Sequence, residues 1–119
     1  MIRLWLAVAA FGGLCSVAAG AAAAHLSGDA KAADLLRTGA LYGMVHAAAL
    51  VAVVALASRR LSVRVAGWSL AAGIVLFSFS LYALAFGGPV WLADVTPFGG
   101  FALMLGWASL AVAALRRRN

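Results

Sequence analysis

Four long runs of apolar residues alternate with short charged segments along the chain. The runs occupy residues 4–24, 39–57, 66–86 and 98–115. Each contains about 20 residues, which at about 1.5 Å per residue of α-helix spans the roughly 30 Å hydrocarbon core of a bilayer. The pattern therefore predicts an all-α membrane protein, in which residues 1–119 form a single up-and-down bundle of four transmembrane helices.

The composition excludes most classes of soluble protein. Of the 119 residues, 66% are hydrophobic and 10% are charged, and the mean hydropathy is +1.07. An ordinary soluble domain is about 45–50% apolar and about 25% charged. A soluble chain this short could not cover its surface with polar side chains. A cytoplasmic enzyme, a disordered tail and a nucleic-acid module are therefore excluded.

The charged segments between the runs predict connections of three kinds. Residues 27–38 predict a polar link, in which the side-chain oxygen of Ser27 or Asp29 could cap a short interfacial helix. Residues 58–64, SRRLSVR, are short and charged and predict a tight loop. Glycine frees the backbone and proline removes a donor, so the segment before the fourth run is expected to be non-helical or broken. The residues that mark it are Gly87, Gly88, Pro89 and Pro97.

The charges of the connections predict the orientation of the helices in the membrane. Four spans put both termini on one side, and with the N-terminus inside, that side carries most of the basic residues. They are Arg3, Arg59, Arg60, Arg64, Arg116, Arg117 and Arg118. The outer side then carries Lys31 and Arg37 together with Asp29, Asp34 and Asp94. Because basic residues concentrate on the cytoplasmic side of membrane proteins, we predict an N-in, C-in orientation.

Three further features bear on this topology. Trp5 and Trp68 are expected at the inner interface, where aromatic rings anchor transmembrane helices.

The formal net charge is +6, but the basic residues lie between apolar runs without interleaved aromatic residues, so no nucleic-acid partner is expected. A cleavable signal peptide after Arg3 is an alternative for the first run, although the run is longer than a usual signal core.

Small residues recur at every fourth position in the first two runs. In the first run they include Gly12, Ser16 and Gly20, and in the second Gly39 and Gly43 form a GxxxG pattern. Apolar helices gain little by leaving lipid that is equally apolar, and small residues let their backbones approach closely. Both stripes therefore predict helix-packing faces, either within one chain or between copies.

A few polar residues inside the spans are candidates for a functional site. In the second run Tyr42 and His46 share one helix face with Gly39 and Gly43, so His46 is expected to point into protein. Counting residues from the outer end places four side chains in one layer, about 10–13 Å below the outer surface. They are Ser16, His46, Ser78 and Trp107. A histidine inside a span is by default a site. The alternative is a neutral imidazole that is hydrogen-bonded to one of the other three residues and fixes the helix register.

The remaining chemistry argues against catalysis and against a bound metal. His25 ends the first run, about 10 Å from the depth of His46, so the two do not suit a pair of axial haem ligands. No acid or cysteine lies near His46 to complete a metal site. The spans hold no carboxylate pair, no Ser/His/acid arrangement and no carboxylate for proton-coupled transport. We therefore expect no enzyme activity, no cofactor and no metal.

Five short motifs follow one another along essentially the whole chain. They are GAAAAH at 20–25, TGxxYxxxH at 38–46, LFSxSLY at 76–82, TPxGG at 96–100 and GW at 106–107. In this order and at these spacings they resemble the YgdD-like family, also called domain of unknown function 423, which comprises small bacterial inner-membrane proteins with a mitochondrial relative. The resemblance implies a multi-pass protein of the bacterial inner (plasma) membrane. It implies no activity, because the family has no established biochemical function.

The chain departs from the family's pattern in ways that bear on a site. The family has Phe-Gly at Ala22-Ala23, Gln at Gly43 and Gly at Phe79. The missing glutamine removes a polar partner from His46. By matching position, the resemblance points to His25, Tyr42, His46, Ser78, Ser80, Tyr82 and Pro97. These residues belong to the outer half of the bundle, whereas the inner half is nearly pure Ala, Val and Leu, and this asymmetry favours a function in the outer half.

Three functions remain open at this point. The favoured one is a non-catalytic accessory or assembly subunit that lends helices to a larger membrane complex. The second is a small homo-oligomeric transporter or channel, with a polar outer-half vestibule that ends at His46. The third is a protein that binds a lipid, quinone or haem between the tyrosines, His46 and Trp107. The expected partners are membrane lipids and either another membrane protein or further copies of the chain.

Overall fold

Four helices account for almost all of the chain that the structure describes. The computed structural model describes residues 1–26, 28–56 and 58–116, and within these ranges it contains no strand. The helices are α1 (Ile2–His25), α2 (Ala30–Leu56), α3 (Leu61–Ala85) and α4 (Leu92–Leu115). Each is long and apolar enough to cross a membrane. The prediction of an all-α membrane protein with four spanning helices is confirmed.

The helices form an elongated bundle with α2 and α3 at its centre. Helix α1 packs along α2, α4 packs along α3, and α2 and α3 contact each other over much of their length. The bundle measures 56 × 24 × 21 Å. The central helices bury more of their surface than α1 and α4 do, so α1 and α4 present most of the outward-facing apolar surface.

Two helices begin earlier than the apolar pattern indicates. Helix α2 begins at Ala30, inside the predicted polar link, and the Asp29 carboxylate accepts a hydrogen bond from the Lys31 amide at 3.0 Å. Asp29, one of the two predicted caps, therefore accepts at the start of α2 itself, and the predicted separate interfacial helix is the first part of α2. Ser27 lies outside the described residues. Helix α3 begins at Leu61, so the prediction of a loop through residue 64 is wrong. A first helical turn accommodates charged side chains because it projects beyond the hydrocarbon core.

The link before α4 is also shorter than the prolines predict. Helix α3 ends in a turn in which Gly87 adopts a positive φ of 84° and the Gly88 amide donates to the Ala83 carbonyl at 2.8 Å. Pro97 lies within α4, which corrects the expectation that it breaks the chain there. A membrane helix tolerates proline because neighbouring helices and side chains can compensate for the lost donor.

Glycines bring α3 and α4 into backbone contact. Residues Ile74–Phe79 of α3 form a wider, π-helical turn. Gly99 of α4 lies against this turn so closely that a Cβ atom on Gly99 would lie 2.8 Å from the Leu76 carbonyl carbon and from the Phe77 Cα. A Cβ on Gly106 would lie 2.7 Å from the Leu70 side chain. The α3–α4 contact therefore depends on the absence of side chains at these two positions.

The predicted small-residue stripes meet within one chain. A Cβ on Gly12 would lie 3.0 Å from Ile74 of α3, and Gly39 and Gly43 of α2 face the Tyr82 side chain of α3. The prediction of a helix-packing contact is wrong for Gly20, because a Cβ atom on Gly20 would meet no atom within 4 Å in the described chain. Gly20 therefore makes no close helix contact inside the bundle.

Trp5 lies in the bundle and not at its surface, which corrects the expectation of an interfacial anchor. Its side chain is 2% exposed, and its ring fills the space that Gly67 of α3 leaves open. A Cβ on Gly67 would lie 2.5–2.6 Å from three ring carbons of Trp5. Trp68 is half-exposed and contacts Trp5 edge to face, with ring centroids 5.7 Å apart. The glycine thus converts a predicted surface tryptophan into a core residue.

We expect Gly99→Ala to destabilise the bundle, because the added methyl group would collide with the backbone of α3. Overpacking of this kind costs about 1–3 kcal/mol. The measurement is reversible unfolding in mixed micelles at increasing SDS. Gly20→Ala is the matched control, since its methyl group enters open space and should change the free energy of unfolding by less than about 0.5 kcal/mol. Equal stability of the two variants would contradict the α3–α4 contact.

The N-in, C-in orientation stays a prediction, and fusions test it. Arg60 lies in the second link, which connects α2 to α3, and it donates to the Arg116 carbonyl. This link and the end of α4 therefore lie at the same end of the bundle. We expect a C-terminal fluorescent-protein fusion to be bright and a C-terminal alkaline phosphatase fusion to be inactive, because the arginines hold this end in the cytoplasm. An active phosphatase would show the opposite orientation.

Candidate functional site

Polar side chains in the half remote from the termini form two clusters, each of which includes residues of α2 and α3. The first, called the histidine cluster below, comprises Tyr42, His46, Phe77 and Trp107. The second, called the serine–tyrosine cluster, comprises Ser16, Gly39, Gly43, Ser78 and Tyr82. The predicted single layer is thus divided, with His46 and Trp107 in one group and Ser16 and Ser78 in the other.

His46 uses both of its ring nitrogens. Its Nδ1 lies 2.6 Å from the Tyr42 carbonyl one turn earlier, and the Trp107 indole N–H of α4 donates to its Nε2 at 3.0 Å. A carbonyl oxygen only accepts, so Nδ1 carries the proton and Nε2 accepts from Trp107. The imidazole is therefore the neutral Nδ1–H tautomer, and it joins α2 to α4.

Aromatic rings surround this hydrogen bond. The Tyr42 ring stacks on His46 at 6.0 Å with an interplanar angle of 5°, and it contacts Phe77 of α3 at 4.8 Å. His46 is 6% exposed, whereas Tyr42 and Trp107 are 44% and 47% exposed. The imidazole is thus buried behind two half-exposed rings at the bundle surface.

The serine–tyrosine cluster joins α1, α2 and α3. The Ser16 hydroxyl donates to the Gly12 carbonyl at 2.7 Å, so it can only accept from the Tyr82 hydroxyl 3.4 Å away. The Ser78 hydroxyl donates to the Gly39 carbonyl at 2.9 Å across the α2–α3 contact. Each hydroxyl proton of this cluster is therefore assigned to an acceptor in the same chain.

The two glycines of α2 leave room for these hydroxyl groups. A Cβ on Gly43 would collide with the Ser16 hydroxyl oxygen and would lie 3.0 Å from that of Ser78. A Cβ on Gly39 would lie 2.6 Å from the Tyr82 ring. The glycine stripe thus accommodates the polar side chains of two other helices, so the cluster is a packed contact and not an open chamber.

A third polar contact joins α3 and α4 and was not foreseen as a pair. The Ser80 and Thr96 hydroxyl oxygens lie 2.6 Å apart. Ser80 donates its single proton to the Phe77 carbonyl at 2.8 Å, so Thr96 donates the proton between the two hydroxyl groups. Both residues lie in sequence motifs, but Thr96 was assigned to a connection, so its place beside Ser80 could not be inferred. The pair stabilises α4 close to Pro97.

His25 and the metal-ligating side chains form no site in the described chain. His25 lies exposed at the end of α1 and belongs to neither cluster. Among the described residues, no three His, Cys, Asp or Glu side chains are close enough to hold a metal ion. Of the predicted site residues, the structure therefore joins Tyr42, His46 and Trp107, separately joins Ser78 and Tyr82, and leaves Ser80 and His25 apart from both groups.

The sequence matches that of a family of membrane proteins. The family described as "Protein of unknown function (DUF423)" matches residues 19–100. That segment includes all of α2 and α3 and both polar clusters except Ser16 and Trp107. The chain belongs to the DUF423 family. No solved structure matches the chain.

Full-length relatives agree with the family assignment. The chain is similar to a UPF0382 membrane protein of Haemophilus influenzae, with 40% identity over 100% of this chain and 99% of the relative. It is also similar to the UPF0382 inner membrane protein YgdD of Escherichia coli K12, with 40% identity over 98% of this chain and 93% of the relative. The UPF0382 membrane protein YwdK of Bacillus subtilis is 38% identical over 97% of this chain and 98% of the relative. This DUF423 protein is accordingly a multi-pass protein of the bacterial inner membrane.

We expect Trp107→Phe to weaken the bundle, because it removes the donor to His46 but keeps an aromatic ring. Hydrogen bonds between membrane helices contribute about 0.6 kcal/mol on average and up to about 1.7 kcal/mol, so a loss in that range is expected in SDS unfolding. The control is Trp91→Phe, since Trp91 is exposed before α4. Nitrogen-15 NMR of labelled histidine should show His46 protonated at Nδ1. A proton on Nε2, or an unchanged stability of Trp107→Phe, would contradict the assignment.

Proposed function

We propose that this DUF423 protein is a non-catalytic accessory or assembly subunit of a membrane complex. The observation that carries the proposal is the use of both His46 nitrogens within the chain. A histidine that relays protons or binds a ligand needs a free lone pair or a free N–H group. His46 instead fixes α4 against α2, as a structural element does.

The packing of the serine–tyrosine cluster favours this function over a transporter. A vestibule requires space for water between the helices, but a single methyl group on Gly43 would already collide with the Ser16 hydroxyl. The hydroxyl groups of Ser16, Ser78 and Tyr82 form hydrogen bonds with one another or with backbone carbonyls. They join α1 and α2 to α3, and Ser16 also lines a groove between α1 and α2 at the surface of the bundle.

The surface beside the histidine cluster favours this function over the binding of a quinone or haem. The depression there measures about 210 Å³ and is lined by Leu41, Tyr42, Val45 and His46. Pockets for small molecules and cofactors have volumes of about 300–1,000 Å³ and enclose most of the ligand. A shallow apolar depression of this size suits an acyl chain or a side chain of a neighbouring helix.

Gly20 supplies the position at which association with another protein can be tested. It lies in a groove of about 360 Å³ between α1 and α2, together with Val17, Ala40 and Met44. Glycine at a helix surface lets another helix approach closely, and Gly20 has no such neighbour within the described chain. A bulky residue at Gly20 is therefore expected to affect contacts between chains without disturbing the bundle.

The test is native mass spectrometry of the tagged chain, extracted from its own membrane in mild detergent. We expect it to arrive with a larger membrane polypeptide at a fixed ratio, and Gly20→Leu to lower the recovered partner by about tenfold, equivalent to about 1.4 kcal/mol. Ala18→Leu is the matched control, since Ala18 is exposed on α1 outside the groove.

Recovery of the chain alone, or with further copies of itself only, would contradict a subunit function. A second measurement tests the transporter alternative directly. Purified protein in sealed liposomes should show no ion or proton flux above that of empty liposomes. A flux that His46→Ala alters would overturn the proposal in favour of a transporter.

A further inference from the structure

A cavity of about 690 Å³ opens at the end of the bundle that carries both termini. It lies at the opposite end from the two polar clusters and shares no residue with them. Helix α1, the end of α2, the second link and the first turn of α3 contribute to its walls. Its lining comprises Met1, Ile2, Arg3, Trp5, Val53, Val54, Ser58, Arg59 and Arg64.

Three arginines line this cavity, and the part of the chain that the structure describes gives them no acidic partner. The three acids of the chain are Asp29, Asp34 and Asp94, which lie in or next to the links at the other end of the bundle. Within the described residues the ion pair found is that between Arg37 and Asp34, also at the other end. Arg3, Arg59 and Arg64 therefore line one cavity, and no Asp or Glu side chain of the described residues pairs with them. Such an arrangement attracts an anion.

Trp5 adds a second, independent indication of a ligand. Trp5 lines the cavity and is only 2% exposed. Its indole Nε1 is buried and has no hydrogen-bond partner in the described part of the chain. Buried N–H groups in native structures are almost always paired, so the unpaired indole N–H of a residue that lines the cavity favours a ligand with an acceptor atom. The oxygen of an anion would be such an acceptor.

The apolar part of the lining indicates what else the anion carries. Ile2, Val53 and Val54 also line the cavity, close to the ends of α1 and α2. A ligand that matches the whole lining has an anionic group beside the arginines and hydrocarbon beside the aliphatic side chains. Phosphate suits the guanidinium group, which donates in a fork to two oxygens.

We propose that this cavity binds a phosphate group, carried by an anionic phospholipid headgroup or free in solution. Arg59 and Arg64 hold the phosphate oxygens from the link and from α3, while Arg3 approaches from α1. The Trp5 indole donates to one of the phosphate oxygens. Basic pockets of this kind at the cytoplasmic ends of membrane helices bind anionic headgroups, and the site does not depend on the proposed subunit function.

The test uses the full chain, delipidated in detergent and titrated with phosphatidylglycerol, with phosphatidylcholine and with inorganic phosphate. We expect phosphatidylglycerol to bind more tightly than zwitterionic phosphatidylcholine, and the double variant Arg59→Gln/Arg64→Gln to weaken that binding by about tenfold or more. Lys31→Gln/Arg37→Gln is the matched control, because it removes two positive charges from the other end. It should bind phosphatidylglycerol as the wild type does.

The indole proton of Trp5 provides a readout that does not rely on charge. We expect its proton–nitrogen NMR signal, identified by its loss in Trp5→Phe, to move downfield as phosphatidylglycerol is added. Displacement of the lipid by millimolar inorganic phosphate would show a free-phosphate source, and persistence of the lipid would show a headgroup source. Equal binding of the two lipids, equal affinities of the two double variants, or a Trp5 signal that does not move would overturn the proposal.

Discussion

The close approach of helix backbones at glycine is the constraint on which this bundle depends. In a bilayer the hydrophobic effect does not drive apolar helices together, so their association depends on tight packing and on hydrogen bonds between helices. Gly99 allows α4 to touch the backbone of α3, Gly67 admits the Trp5 ring, and Gly43 admits the hydroxyl groups of two other helices. At each of these three contacts the missing side chain of one helix is the space that a group of another helix fills.

The polar residues inside the spans act together with these glycines. A polar group in hydrocarbon is costly unless it is paired, and the pairing in this bundle connects different helices. His46 and Trp107 join α2 to α4, Ser78 joins α3 to the Gly39 carbonyl of α2, and Ser80 meets Thr96 of α4. Because each bond requires one rotation of each helix, the set fixes the register of a bundle whose surfaces are otherwise uniformly apolar.

The two ends of the molecule therefore differ in chemical character. The half remote from the termini contains polar groups that satisfy one another. The end with the termini contains three arginines without acidic partners in the described chain and the buried, unpaired Trp5 indole. A polar group without a partner indicates a ligand site more strongly than a polar group whose partners lie within the chain. We accordingly interpret the clusters around His46 and Tyr82 as architectural and propose the arginine-lined cavity as the binding site.

The sequence by itself determined the number of spanning helices, because the length of each apolar run can be compared directly with the thickness of a bilayer. It also narrowed the partner of His46 to three residues, since depth follows from counting along a helix. Only the tertiary structure selected Trp107 among them, left Gly20 without a neighbour, kept Pro97 inside α4 and placed Trp5 beneath Gly67. These outcomes depend on how each helix is rotated about its axis. Helices that are apolar on every face carry no periodic signal for that rotation, so it is decided by contacts between residues far apart in the chain.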